Sequence, residues 1–306
     1  MKFMVQVPVE TEAAGGAWLD PDNIAAFARA AEESGIDAIS LTDHPAPSKK
    51  WLDTGGHETY DPFVGLTFCA ANTSTVQLMT HLVVVPYRNP LLMARSMTSV
   101  DRLSRGRTIW TLGTGYLRSE FSALGVDFSE RNELFEEAIE VLKGVWSTDD
   151  FHYEGRHFRA LGVILKPGPV QRPHPPLWFG GNAKVVRERV ARSGDGWAPM
   201  TSGGEILART ARTAAITSDE QFADLVRDLG RRLEEHGRTL ADVDVCAMSQ
   251  RAHYTPGSPG QFLDAIGELA EIGVTWTAGH TGRHDSVDAT IDGMRQFGEE
   301  VIARAR

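Results

Sequence analysis

The chain has 306 residues, of which 42% are hydrophobic and 24% charged, and its formal net charge is −10 at pH 7. This composition predicts a soluble globular protein, and the negative charge argues against binding to nucleic acid or an anionic membrane. Only two cysteines occur, Cys69 and Cys246, which argues against a disulfide framework and a cysteine-rich zinc site. No apolar run approaches the roughly 20 residues of a membrane helix. Because Met1-Lys2-Phe3 leads directly into a strand pattern without a signal peptide, we expect a cytoplasmic protein.

The first part of the chain alternates strand and helix patterns. Apolar runs predict strands, and runs with helical spacing that end at a glycine predict helices. In chain order the predicted elements are a strand at Phe3–Val9, a helix at Ile24–Glu33, a strand at Ala38–Thr42 and a helix at Asp61–Asn72. The second strand ends in Asp43-His44, and a polar loop, Pro47–His57, follows it.

The stretch from Val76 to Tyr116 predicts a strand, a helix and a second strand. Val76–Val85 is mostly apolar and β-branched, which is typical of a strand covered on both faces. Pro90 suits the first turn of a helix, and apolar residues recur from there at helical spacing. Thr108–Leu112 returns as a strand that ends in glycines. Such a βαβ unit presents ligands at the C-terminal ends of its strands.

The second half continues the alternation, with two interruptions. Helices are predicted at Ser129–Trp146, Ala183–Ser193, Asp219–Glu235, Pro259–Ile272 and Ser286–Arg304, and strands at Leu177–Phe179, around Trp197, at Val243–Met248 and at Val274–Ala278. The stretch Phe151–Pro176 predicts an inserted hairpin followed by a proline-rich strap. The stretch Thr201–Ser218 is open to two interpretations, an excursion or a mobile lid.

Eight strands, each followed by a helix, favour an α/β fold of one domain over residues 1–306, a closed (β/α)8 TIM barrel with the inserted hairpin. The rival is an open doubly wound sheet, which is expected to carry a GxGxxG phosphate fingerprint in its first βα turn. The corresponding sequence here, VPVETEAAGGAW, lacks that fingerprint.

Chemically versatile residues follow several predicted strands at their C-terminal ends. A histidine there can exchange a hydrogen bond or a proton with a ligand, glycines let a flat ligand approach the backbone, and a helix start suits a phosphate. The three groups are Asp43-His44, Gly113-Thr114-Gly115-Tyr116 and Gly180-Gly181-Asn182. Each also has a plain structural interpretation, as a loop cap beside a solvated histidine, an ordinary turn and a tight turn, respectively.

Histidines elsewhere give weaker indications. His81 lies within the third strand, where a lone histidine is more often part of the core than a ligand contact. His280, Arg283 and His284 follow the last strand and could reach the same pocket, although a surface loop is the safer interpretation.

The order and spacing of several motifs resemble the bacterial luciferase-like monooxygenase superfamily, particularly its branch that depends on the deazaflavin coenzyme F420. The motifs are SLTDH, THLVVVPYRNPLLMARSMTSVDRLSRGR, LGTGY followed by Glu120-Phe121, PPLWFGGN and SGDGW, and they extend over nearly the whole chain. The family fold is a (β/α)8 barrel with an excursion, in agreement with the strand count.

The resemblance implies roles for individual residues. His44, with Asp43 beside it, would meet the polar edge of the deazaflavin or flavin ring. The ring would be backed by a bulge of the third strand, at His81-Leu82, which in the family often holds a non-prolyl cis peptide. The remaining expected contacts are Gly113, Thr114, Gly115 and Tyr116, which would line the cofactor pocket, and Gly180, Gly181 and Asn182, which would hold the phosphate.

The implied activity is hydride transfer between F420 and a small organic substrate, with His44 supplying a hydrogen bond or a proton and Tyr116 as a second candidate donor. The alternatives are an FMN-dependent monooxygenase that uses reduced flavin and O2, and a non-catalytic barrel that binds a flavin or deazaflavin. Tyr116 stands where some deazaflavin sugar-phosphate dehydrogenases have a glutamate, so the sequence does not predict glucose 6-phosphate chemistry. A homodimer is expected from the family alone.

Overall fold

A computed structural model of the chain describes residues 1–9, 12–201, 208, 213–248, 253–279 and 286–306. The predicted lid, Thr201–Ser218, lies largely outside the described residues, and His280, Arg283 and His284 lie wholly outside them. Among the described helices, none combines the length and the apolar composition that crossing a bilayer requires.

In the part of the chain that the structure describes, ten strands form a parallel barrel and a separate hairpin. In chain order they are β1 (Lys2–Gln6), β2 (Ala38–Leu41), β3 (Gln77–Val84), β4 (Thr108–Gly113), β5 (Phe151–Glu154), β6 (Arg159–Val163), β7 (Leu177–Gly180), β8 (Gly196–Ala198), β9 (Asp244–Val245) and β10 (Trp276–Ala278). The eight-stranded sheet runs in the order β10-β1-β2-β3-β4-β7-β8-β9. A parallel bridge between Cys246 and Trp276 joins its two ends, so the predicted (β/α)8 barrel is confirmed.

Helices surround the barrel. They are Pro21–Glu33, Lys49–Leu52, Pro62–Ala71, Pro90–Leu103, Arg118–Ala123, Arg131–Ser147, Lys184–Ser193, Asp219–Glu235, Gly260–Glu271 and Val287–Phe297, the last continuing through a π turn at Gly298–Ile302 to Ala303–Ala305.

Three of these helices begin with the same local chemistry. Pro21, Pro62 and Pro90 each follow an Asp or Asn whose side chain accepts a hydrogen bond from the backbone N–H two residues further on, at 2.9 Å in every case. The side chain replaces a missing backbone partner, and proline needs no N–H at that position.

The predicted loops contain more regular structure than their composition indicates. A 3-10 helix at Ala13–Leu19 precedes the first α-helix, and the loop Pro47–His57 contains the short helix Lys49–Leu52. Ser48 stabilises the start of this short helix, because its hydroxyl accepts a hydrogen bond from Trp51 N at 3.3 Å. Strand β9 is shorter than the predicted Val243–Met248, and beyond Val245 a single bridge, from Cys246 to Trp276, is found among the described residues.

The stretch predicted as a hairpin and strap forms the antiparallel pair β5–β6 and then an irregular segment that leads to β7. Buried Asp101, on the helix Pro90–Leu103, holds this segment in place. Its carboxylate accepts hydrogen bonds from Val170 N at 2.5 Å and Gln171 N at 3.2 Å. The strap is therefore fixed to the outside of the barrel by an internal acid.

Alternation along the strands produces two cores. The outward-facing residues of the strands pack against the helices in one large cluster. The inward-facing residues fill the barrel, among them Met4, Met79, Trp178, Trp276 and Cys246. Met4 and Cys246 also line the cavity described below, so the inner core forms its floor.

Candidate active site

A cavity of about 440 Å³ opens at the C-terminal ends of the barrel strands. Every residue that the sequence predicts for the site lines this one cavity: Asp43, His44, His81, Leu82, Gly113, Thr114, Gly115, Tyr116, Gly180, Gly181 and Asn182. They meet because the ends of adjacent parallel strands lie on the same face of the barrel. Their individual roles in binding and catalysis stay predictions.

His44 is paired with a buried glutamate. Its Nδ1 lies 3.2 Å from Oε2 of Glu120, and the two side chains are 9% and 0% exposed. The same carboxylate oxygen accepts a hydrogen bond from the Tyr87 hydroxyl at 2.9 Å, and Oε1 accepts one from Ala46 N at 3.2 Å. His44 is therefore held at one ring nitrogen while the ring lines the cavity.

Glu120 was not predicted as a site residue. It lies on the helix Arg118–Ala123, four residues after Tyr116, and the sequence analysis used it only as part of the family motif. The one available signal was a glutamate on a helix directly after the Gly113–Tyr116 turn, at the end of the barrel where active sites lie.

Asp43 lies beside His44, but its carboxylate is engaged by the protein. Arg88 donates from Nη1 to Oδ2 at 2.5 Å and from Nη2 to Oδ1 at 2.8 Å. Val84 N donates to Oδ2 at 3.0 Å. The Asp43 side chain is 1% exposed and that of Arg88 is 20% exposed. Asp43 thus ties the end of β2 to the end of β3, and Arg88 is a second residue that the sequence analysis missed.

Aromatic rings surround His44. The ring centroids of Trp51, His57 and Tyr116 lie 4.4, 5.0 and 6.1 Å from that of His44. Burial lowers the pKa of His57 to about 4, with a further contribution from the charge of His44. Burial raises the pKa of Tyr116 to about 12, and the nearby charge of Glu120 adds to this. Near neutral pH both His57 and Tyr116 are uncharged, so the phenol is available as a hydrogen-bond donor.

The third strand contains the expected bulge. The His81–Leu82 peptide is cis, as the resemblance implies, and the register with β4 shifts between His81 and Val83. His81 follows Met79 on the inward face of β3, and burial lowers its pKa to about 4. The imidazole of His81 is therefore neutral near pH 7.

Leu82 explains two of the predicted glycines. A Cβ on Gly113 would lie 2.7 Å from Cδ1 of Leu82, and a Cβ on Gly180 would lie 2.4 Å from its Cδ2. Gly115 has φ +74°, and a Cβ there would lie 2.5 Å from Cγ1 of Val84. A side chain at Gly113 or Gly180 would therefore displace the methyl groups of Leu82, and one at Gly115 would also strain the backbone.

The Gly180-Gly181-Asn182 segment leads into the helix Lys184–Ser193. Its cap is Ala183, and no described side chain hydrogen-bonds to its first turn as a cap. The Asn182 amide holds a neighbouring loop, because it accepts from Met200 N at 2.7 Å and donates to Met200 O at 2.9 Å. Arg189, on the same helix, also lines the cavity and is 4% exposed, and its guanidinium donates to Glu136 Oε1 at 2.6 Å and to Asn132 Oδ1 at 3.1 Å. The start of a helix suits an anionic group such as a phosphate.

Comparison with known proteins is consistent with this geometry. The model of the luciferase-like monooxygenase family matches residues 1–256. An F420-dependent glucose-6-phosphate dehydrogenase of Kineococcus radiotolerans is 31% identical over 228 residues, covering 73% of this chain and 62% of that protein. An FMNH(2)-dependent dimethylsulfone monooxygenase of Pseudomonas putida is 31% identical over 139 residues, covering 44% of this chain and 38% of that protein. This chain therefore matches only part of the length of either relative.

Solved structures share the fold. The monooxygenase RslO1 of Streptomyces bottropensis has a TM-score of 0.81 to this chain and 19% sequence identity, with 100% of both chains covered. At this identity the similarity extends to the (β/α)8 architecture and not to the reaction.

Proposed function

Because the chain belongs to the luciferase-like monooxygenase family, we propose that it is an oxidoreductase that uses coenzyme F420 for hydride transfer to or from a small organic substrate. The observation that carries the proposal is the position of His44, which lines the cavity and is held by buried Glu120. The similarity to an F420-dependent dehydrogenase supports the same choice of cofactor.

The residues of the cavity fit such a cofactor at both of its ends. A phosphate can be received by the start of the helix Lys184–Ser193. A flat polar ring finds hydrogen-bonding groups on His44, Thr114 and Tyr116 at the other end. When bound, F420 supplies a ring carbon that accepts or donates a hydride.

The protein's own side chains would orient the substrate and move its proton. His44 has a ring nitrogen on the side away from Glu120, and this nitrogen can accept or donate a hydrogen bond in the cavity. Tyr116, with its pKa raised to about 12 by burial, stays protonated and can donate its hydroxyl hydrogen. Trp51 and His57 pack around His44 and keep it from free contact with solvent.

The second candidate is an FMN-dependent monooxygenase that consumes reduced flavin and O2. The Pseudomonas putida relative supports it, because that protein is a monooxygenase dependent on FMNH(2). Its identity to this chain is also 31%, over 139 residues against 228 for the dehydrogenase. The same cavity would serve, since FMN also joins a flat ring to a phosphate.

Equilibrium titration of the purified protein with F420 and with FMN, each oxidised and reduced, tests the choice. We expect F420 to bind at least about tenfold more tightly, a difference of about 1.4 kcal/mol. Tight binding of FMN with no binding of F420 would reject the proposal, and O2 consumption with reduced flavin would then identify the monooxygenase. A protein that binds F420 but turns over none of a panel of alcohols, ketones and enones would be a carrier.

We also propose that the protein is a homodimer. Val64 and Leu92 are 69% and 70% exposed on the neighbouring helices Pro62–Ala71 and Pro90–Leu103, and Phe68 is 37% exposed beside them. A second copy would cover this apolar surface. Light scattering coupled to gel filtration should give the dimer mass, and Leu92→Lys should lower it towards the monomer. A monomeric wild-type protein would contradict this.

A further inference from the structure

One carboxylate makes three hydrogen bonds in the interior of the site. Oε1 of Glu120 accepts from Ala46 N at 3.2 Å, and Oε2 accepts from the Tyr87 hydroxyl at 2.9 Å and lies 3.2 Å from His44 Nδ1. Glu120 itself is 0% exposed. A carboxylate can only accept hydrogen bonds, so the third contact requires a proton on Nδ1 of His44.

We propose that Glu120 is a positioning residue that keeps the proton of neutral His44 on Nδ1 and thereby presents Nε2 to the cavity as a hydrogen-bond acceptor. No described residue forms a hydrogen bond with Nε2, although the ring lines the cavity. The importance of this arrangement for catalysis rests on the proposed function, because a ligand can hydrogen-bond to an acceptor at Nε2 only if it offers a donor. The tautomer itself is a property of the protein without ligand.

The other neighbours of His44 do not impose a tautomer by hydrogen bonding. Trp51, His57 and Tyr116 contact its ring through their own rings. His57 uses Nε2 for the Thr42 hydroxyl, at 2.9 Å, and is uncharged near neutral pH because burial lowers its pKa to about 4. Asp43 is bound by Arg88. Glu120 is thus the one described acid in contact with the His44 ring nitrogens.

Replacing Glu120 by glutamine should reverse the tautomer of neutral His44. Glu120→Gln keeps the shape but replaces one acceptor oxygen by an NH2 donor. Ala46 N–H is a fixed donor, so we expect the amide oxygen to face it and the NH2 group to face Tyr87 and His44. The Tyr87 hydroxyl can rotate to accept, and His44 can accept only with an unprotonated Nδ1. The proton of neutral His44 should therefore move to Nε2.

The experiment is 15N NMR of ligand-free protein labelled in its histidines, of which there are 10. Spectra are recorded at increasing pH, from about pH 7 upward, until the His44 signal no longer changes, so that the neutral ring is observed. The His44 signal is assigned by its loss in His44→Gln. We expect the Nδ1–H tautomer in wild type and in the control Tyr87→Phe, which removes the other donor to Oε2. We expect the Nε2–H tautomer in Glu120→Gln.

The Nε2–H tautomer in wild type, or an unchanged tautomer in folded Glu120→Gln, would overturn the proposal. If Glu120→Gln does not fold, the wild-type and Tyr87→Phe spectra decide the question alone, with Nδ1–H in both supporting the proposal. Because cofactor is absent throughout, a failed F420 titration would remove the proposed function and leave this result untouched. Conversely, F420 turnover with the Nε2–H tautomer in wild type would remove only the role of Glu120.

Discussion

The pair of Asp43 and Arg88 should be a large contributor to the stability of the site. The two side chains form a bidentate contact at 2.5 and 2.8 Å, and they are 1% and 20% exposed. Removing one partner of a buried pair costs roughly 3–5 kcal/mol, because the other charge stays behind in a poorly solvated place. Arg88 is partly exposed and has a second, longer contact with Asp61 at 3.3 Å. We therefore expect Asp43→Asn to lower the free energy of unfolding by about 3 kcal/mol, the lower end of that range.

Urea unfolding of Asp43→Asn, Arg88→Gln and the double variant measures this loss and the coupling between the two residues. The matched control is Asp61→Asn, which removes the charge of the outer contact but keeps a side-chain oxygen to cap the helix Pro62–Ala71, and it should cost at most about 1 kcal/mol. By thermal unfolding, a loss of about 3 kcal/mol corresponds to a fall in Tm of about 5 °C, because the unfolding entropy is about 2.1 cal/mol/K for each of the 306 residues. A cost for Asp43→Asn no larger than that of the control, or a coupling energy near zero, would refute this account of how the end of β2 is anchored.

Two further substitutions test packing and protonation. Gly115→Ala should destabilise the protein more than the control Gly125→Ala. Both glycines have a positive φ, of +74° and +71°, but only a Cβ at Gly115 would meet Val84 Cγ1, at 2.5 Å. We expect a loss of unfolding free energy of about 1 kcal/mol for the control and a further loss of roughly 1–3 kcal/mol at Gly115; equal urea midpoints would contradict this. Burial lowers the pKa of His81 to about 4, against about 6.5 in an unfolded chain, so its neutral form supports stability above pH 6.5 and that support, up to about 3 kcal/mol, is lost as pH falls towards 4. His81→Asn should therefore reduce the loss of unfolding free energy between about pH 7 and pH 4.5, and an unchanged loss would show that His81 is not the responsible group.

Much of the fold could be predicted from local patterns. The helix Asp219–Glu235 has the predicted bounds, and the strands β2 to β4 start and end within a residue of the predicted positions. These elements have long apolar runs or clear caps, so the local signal and the tertiary structure agree. Strand β1 was predicted to reach Val9 but ends at Gln6, although Val7 N still hydrogen-bonds to Ser40 O at 3.0 Å. Apolar residues that stay buried beyond the end of a strand have the same sequence pattern as residues within it.

The contacts that organise the site could not be predicted in this way. Glu120 is 76 residues from His44, and Arg88 is 45 residues from Asp43. A periodic pattern shows that a residue lies on a helix or follows a strand, but it does not show which distant side chain that residue contacts. The packing of Trp51 onto His44, at 4.4 Å between ring centroids, has the same origin, since it depends on how a polar loop folds back over the barrel.

Strand order explains why these distant residues meet. In the sheet β2 pairs with β3, β3 with β4 and β4 with β7, so the segments that follow β2, β3, β4 and β7 are neighbours at one end of the barrel. The bulge at Leu82 adds a second inward-facing side chain next to His81, and that side chain lies over Gly113 and Gly180. The glycines of β4 and β7 are therefore linked to the bulge of β3 by packing. The sequence predicts each of these residues as a separate ligand contact. In the folded chain they also pack against one another, so a change at one position affects the packing at the others.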